Sequence, residues 1–238
     1  VDCTGLTVTP GFIDIHRHAD GAVFRPDFGE WELRQGLTTI VSGNCGLSAA
    51  PFGPANAGAI RSYLQPITGT LPPTLESATL AGYFRSLPAL PVNVGMLVGA
   101  GVLRADAAGY QLTALADGHY AAIHRAMERA MADGALGVSL GLGYAPECFY
   151  STAELIRALQ PVAGTKIPVT VHMRQEGGGV AASVEEMPRG THFCKLTNRL
   201  RMMPPENAAG WNAPARRDRS TPGGRWTVSG TTPMASKT

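Results

Sequence analysis

Short apolar runs alternate with stretches of helical spacing along the first three quarters of the chain. Residues 11–16 (GFIDIH) read as a buried strand, and 28–35 as a short helix stopped by Gly36. The β-branched run at 37–42 (LTTIVS) predicts a second strand, and PVNVGMLV at 91–98 a third. Between them, 49–73 is rich in Pro, Gly and Ala and is expected to be a long excursion with little regular structure. A helix is predicted over 116–133, with Ile123, Met127, Ala130 and Met131 on one side and Gly134 as its stop. Residues 135–140 (ALGVSL) predict a fourth strand and 167–172 (IPVTVH) a fifth. Between these two strands, Ser151 and Glu154 form a capping box opening a helix to about residue 163. Strands alternating with helices pair in parallel through crossovers, which makes the fold class α/β.

Past residue 185 this pattern stops. Pro188, Pro204, Pro205, Pro214 and Pro222 interrupt every window long enough for a helix, and Arg216, Arg217 and Arg219 cluster. Charge changes at the same place, from a net −4 over 1–185 to a net +6 over 186–238. The chain is therefore divided into a patterned part, 1–185, and an irregular Arg/Pro/Gly-rich tail, 186–238, which reads as solvated or as the product of a shifted reading frame.

Composition narrows the function classes. With 238 residues, 44% of them apolar and 16% charged, the chain can bury a sizeable core. Its formal net charge of +2 leaves no general footprint for nucleic acid. No window approaches the roughly 18 consecutive apolar residues of a spanning helix, so no membrane span is expected. The chain opens on Val1, and no signal peptide is read from it. Four cysteines at wide spacing do not make a disulfide scaffold, which points to a reducing, cytoplasmic setting.

Candidate chemistry gathers at strand ends. In PGFIDIHRH, strand alternation puts His16 and His18 on one face, where two imidazoles can chelate one metal. Arg17 turns the other way, toward solvent. The bland reading, two ordinary histidines, is countered by the Pro-Gly entry, the apolar strand, and the flanking acids Asp14 and Asp20. Gly43-Asn44-Cys45-Gly46 follows the second strand, GALGVSLGLGYAP spans the fourth, and His172-Met173-Arg174-Gln175-Glu176-Gly177 ends the fifth. Cys45 is otherwise a small buried hydrophobe, and His172 a core histidine. Arg174 is either a bidentate clamp for a substrate carboxylate or a structural partner of Glu176. His119 and His124 lie off a shared helix face and read as surface residues. The tail's His192 and Cys194 read as a coincidental pair, and Cys3 and Cys148 have no evident role.

Taken in order, these four motifs resemble the D-aminoacylase (N-acyl-D-amino-acid deacylase) family of the amidohydrolase superfamily, over about residues 4–185. The resemblance implies a (β/α)₈ barrel of the metal-dependent hydrolase type, of which about five of eight strands are recognisable. It implies zinc, with Cys45 and His172 at the tight position and His16 and His18 contributing to a second. It also implies hydrolysis of the linear amide of a small N-acyl-D-amino acid. Related enzymes acting on cyclic amides commonly use a carboxylated lysine near the end of the fourth strand. Here that strand carries none, and Lys166 lies before the fifth. The family's sixth-strand histidine and eighth-strand aspartate, its general base, find no counterpart; Arg199–Met203 stands where the former is expected. Five strands do not close a barrel, so the chain is expected to be an incomplete portion, weakly active or inactive by itself. The alternatives are an amidohydrolase acting on cyclic amides or dipeptides, and a non-catalytic remnant.

Overall fold

The computed structural model describes residues 2–189, and beyond them a two-residue antiparallel ladder. The tail's remaining residues, with the His192/Cys194 pair, lie outside the described residues. In chain order, the strands are β1 (Phe12–Asp14), β2 (Leu37–Ser42), β3 (Asn93–Met96), β4 (Val98–Gly99), β5 (Val138–Gly141) and β6 (Val169–His172), with β7 (Arg216–Arg217) and β8 (Trp226–Thr227) forming the ladder. The helices are α1 (Glu30–Arg34), α2 (Ala57–Thr68), α3 (Leu80–Ser86), α4 (Ala100–Ala108), α5 (Asp117–Ala132), α6 (Thr152–Ala158) and α7 (Val180–Arg189).

All pairings among β1 to β6 are parallel, in the orders β1-β2-β3 and β4-β5-β6. Leu97 alone separates β3 from β4. Its N–H reaches Ser42 O at 2.9 Å, and Leu136 N–H reaches Met96 O at 2.9 Å, so the third predicted strand is one course shared by two ladders. The result is the expected arc of five parallel strands. The central strands are buried toward their carboxyl ends, as parallel sheets covered on both faces require; all four β5 residues are buried. Ile123, Met127 and Ala130 of α5, at helical spacing, belong to the same buried core. β1 differs: it forms one end of its ladder, and Phe12 and Ile13 are 59% and 61% exposed.

Helix limits follow local chemistry. Gly36 and Gly134 take positive φ (+78° and +100°) just past α1 and α5, where a Cβ would be strained. Ser151 accepts from Glu154 N–H at 3.3 Å and opens α6 as expected.

Two expectations are corrected. The 49–73 segment contains the twelve-residue helix α2, formed because Ile60, Leu64 and Thr68 make a fully buried i, i+4, i+8 stripe. That burial outweighs Pro66, whose ring and missing N–H cost a helix interior about 3 kcal/mol. Likewise, α7 runs through the composition break at 185/186 and includes Pro188.

Candidate metal centre

His16 and His18 leave the end of β1. Arg17 N–H donates to Val41 O (3.1 Å), extending the β1–β2 ladder by one residue and keeping both imidazoles on the same side. Their rings meet edge-on, with centroids 5.6 Å apart. The Arg17 side chain does not run free to solvent as its outward position suggested. It pairs with buried Glu32, which also accepts Gly29 N–H at 3.0 Å, and reaches Asp14 at 3.5 Å. The basic residue between the two histidines is thus a tie between β1 and α1.

Cys45 sits in a tight turn after β2. Gly43, Cys45 and Gly46 all have positive φ (+74°, +58° and +75°), and Cys45 is the only non-glycine among the described residues to do so. The turn is fastened from several sides. Asn44 Nδ2 donates to Val41 O (2.9 Å), Ser139 Oγ donates to Gly43 O and accepts from Gly46 N–H (2.9 Å), and the Tyr144 hydroxyl donates to Cys45 O (2.5 Å). Two glycines make the seat: a Cβ on Gly99 would lie 2.4 Å from Gly46 O, and one on Gly141 would lie 2.4 Å from Cys45 O.

These devices bring Cys45 Sγ to 3.5 Å from His16 Nε2, and the donor atoms of His16, His18 and Cys45 lie within 4.8 Å of one another. His18 Nδ1 is buried with no hydrogen-bond partner, an orphan of the sort a bound cation satisfies. Burial, then the neighbouring His16 and His172, push the His18 pKa down, favouring the neutral, ligating form. Burial also raises the Cys45 thiol, despite the Tyr144 hydrogen bond, so its proton is held until a cation competes for the sulfur. Two imidazoles and a thiol suit a borderline-soft ion such as zinc.

His172, at the end of β6, is not in this three-residue cluster, but it lines the same cavity of about 980 Å³ with His18 and Cys45. Its ring meets Tyr144 edge-on at 5.1 Å, and its Nε2 lies 3.5 Å from Glu176 Oε1. Arg174 behaves differently from both readings of it. Four of its five donors are engaged: two on Glu186 of α7 (3.0 and 2.9 Å), one on Cys148 O (3.0 Å) and one on Tyr150 O (2.9 Å). It does not line the cavity, and Glu176 is not its partner. His119 caps the start of α5 by accepting Ala116 N–H (3.0 Å), and His124 bonds Arg157 O (2.8 Å).

Two buried carboxyl groups behind the turn were not singled out in the sequence as part of its support. Asp20 accepts from Gly43 N–H (3.4 Å) and Ala49 N–H (3.2 Å), and burial pushes its pKa up to about 7. Glu147 accepts Gly141 N–H at 2.8 Å, and burial pushes it up to about 8 against the pull of its backbone donors and Arg104. Only the position of Asp20, two residues past His18, hinted at either. For Glu147, whose pKa is raised on folding, the folded chain keeps a proton that the unfolded chain loses above about pH 4.5. Its contribution to stability therefore falls with rising pH up to about 8, by at most about 1.4 kcal/mol per unit. His18 acts in the opposite sense, so wild type and Glu147→Gln are compared directly. Urea midpoints from pH 5.5 to 8.5 are expected to fall less in the variant, and equal slopes would refute the assignment.

Comparison with known proteins agrees with this geometry. A family model described as "Amidohydrolase family" matches residues 1–203. A D-aminoacylase of Alcaligenes xylosoxydans xylosoxydans is 37% identical over 188 residues, covering 78% of this chain and 38% of that protein. An N-acyl-D-glutamate deacylase of the same organism is 38% identical over 197 residues, covering 79% and 38%. Among solved structures, the N-acyl-D-glutamate deacylase from Bordetella bronchiseptica, complexed with zinc and a phosphonate inhibitor, superposes with a TM-score of 0.68 at 33% identity, covering 79% of this chain and 39% of that one. A D-aminoacylase crystal structure gives a TM-score of 0.63 at 30% identity, covering 76% and 38%. The chain spans somewhat over a third of the length of the curated deacylases it matches.

Proposed function

Taking as premise that this chain belongs to the amidohydrolase family, we propose that it carries the zinc-binding rim of a hydrolase that deacylates N-acyl-D-amino acids to a D-amino acid and a carboxylate. The observation that carries the reading is the convergence of His16, His18 and Cys45, with His18 Nδ1 buried and without a hydrogen-bond partner. Those three residues would hold the metal, and His172 faces the same cavity. A zinc ion held there would supply the acidity that makes a bound water nucleophilic and the charge that polarises an amide carbonyl.

The chain's own residues supply the rest. Tyr144 fixes the backbone of Cys45 with its hydroxyl and the ring of His172 with its edge, so one side chain orients two candidate ligands. Glu176, 3.5 Å from His172, gives that imidazole a carboxylate neighbour. Ser139 locks the turn that presents Cys45. Linear amides are favoured over cyclic ones because β5 (VSLG) offers no lysine at its end. We propose a cytoplasmic setting, in keeping with the thiols of Cys45 and Cys148 outside any disulfide; among the described residues no helix is long and apolar enough to cross a membrane.

Metal analysis of the purified chain tests the reading, together with a panel of N-acyl-D-amino acids and hydantoins. We expect bound zinc that a chelator removes, and any hydrolysis confined to the N-acyl-D-amino acids. Absence of zinc overturns the metal assignment, and turnover of hydantoins alone overturns the linear-amide assignment.

A further inference from the structure

Beyond the His/Cys cluster, the cavity runs along a face of α2 that the core does not use. Ile60, Leu64 and Thr68 point into the core, whereas Ala59, Ser62, Tyr63, Pro66 and Ile67 face the cavity. The helix is thus apolar on two sides, and Ile67 is left 46% exposed. Tyr110 completes the wall. Gly109 ends α4 with a φ of +72°, and Tyr110 then stacks on Tyr63 with centroids 4.5 Å apart. The Tyr63 hydroxyl donates to Ala145 O at 2.6 Å, which fixes the plane of that ring pair. Among the described lining residues there is no Asp, Glu, Lys or Arg.

We infer that this wall is the acyl subsite, and that the substrates are N-acyl-D-amino acids whose acyl chain is apolar and longer than acetyl. The inference rests on the deacylase reading above. Such a substrate has two arms at the scissile amide, and the amino-acid arm always bears a carboxylate. A carboxylate drawn against a wall whose only polar groups are uncharged, Asn56, Ser62, Gln111 and the tyrosines, loses its hydration with no cation to offset it. The uncharged acyl arm has no such penalty, and it gains contact with Ile67 and the Tyr63–Tyr110 pair. A cavity of about 980 Å³ is far larger than an acetyl group requires. Each further methylene buried there is worth about fourfold in affinity.

The test is a titration of the full chain with the uncharged amides acetamide, butanamide and hexanamide, and separately with D-leucine, followed by the NMR signals of the tyrosine rings. Zinc content is measured on every sample. Affinity is expected to rise about fourfold per methylene, with hexanamide shifting the ring signals and D-leucine leaving them unmoved. In Ile67→Asp the chain-length dependence should vanish while melting temperature and zinc content hold, because Ile67 lies outside the core. Tyr110→Ala should weaken hexanamide more than acetamide. A flat chain-length series, or ring shifts from D-leucine instead, overturns the acyl subsite whether or not zinc is bound. A rising series on a protein that binds no zinc leaves the apolar subsite standing and overturns the deacylase reading.

Discussion

Cys45→Ala is expected to lower zinc affinity by more than about 100-fold. Residues that only support metal ligands cost 10- to 100-fold when removed, and a direct donor costs more. The variant should still fold. Alanine at a φ of +58° is no more strained than cysteine, and the turn's fastenings run through Tyr144, Ser139 and Asn44 rather than through the sulfur. In the wild type, zinc at a hundred times its dissociation constant should add about 2.7 kcal/mol of stability, and the variant should lose that increment at the same concentration. Competition with a chromophoric chelator reads the affinity, and a melt with and without zinc reads the increment. Cys148→Ala serves as the control, being outside the cluster. Unchanged zinc binding in Cys45→Ala would remove the thiolate from the site and leave only the two histidines.

Gly99→Ala should damage both fold and site without touching a candidate ligand. Its Cβ would lie 2.4 Å from Gly46 O, 2.5 Å from Gly46 C and 2.8 Å from Leu47 N, all backbone atoms that no rotamer change can relieve. Overpacking of this kind costs about 1–3 kcal/mol, and rigid backbone contact puts the expected loss at the upper end. Because the displaced atoms adjoin Cys45, zinc affinity should also fall at least about tenfold. Gly118→Ala is the contrast: on α5, its Cβ would meet nothing within 4 Å, and a gain of about 0.4–1 kcal/mol is expected. Denaturant midpoints and zinc competition on the two variants decide the matter. A Gly99→Ala protein as stable and as zinc-avid as wild type would show that the close approach of β4 to the Cys45 turn is dispensable.

The parts of this architecture that were legible in the chain were those whose signal is local. The run LTTIVS marks β2 to the residue, and period-two alternation places His16 and His18 together before any tertiary contact is known. Residues 57–68 hid a helix because Gly58 and Pro66 argue against one locally, and only the burial of Ile60 and Leu64 overrides them. The acyl wall stayed invisible for the same reason. The ion-pair partner of Arg174 is not legible locally, because it is chosen by distance in space. Glu186 arrives on α7, while Glu176, two residues away, turns to His172. Glu147 carries no mark in Pro-Glu-Cys; its importance comes from Gly141 and Gly46, which approach it from β5 and from the Cys45 turn.

The spacing of the cluster has a consequence for the order in which the protein assembles. His16 and Cys45 are 29 positions apart, on neighbouring strands joined by one crossover, whereas the contact from Tyr144 to Cys45 spans 99. Closing the shorter loop requires only the first parallel pair, and the chain-entropy cost of closure rises with loop length. During synthesis, every donor of the three-residue cluster has emerged before β3 has been made. An ion captured at that stage would pin β1 to β2 as an early nucleus on which later strands dock, making metal supply a determinant of folding rate as well as of final stability.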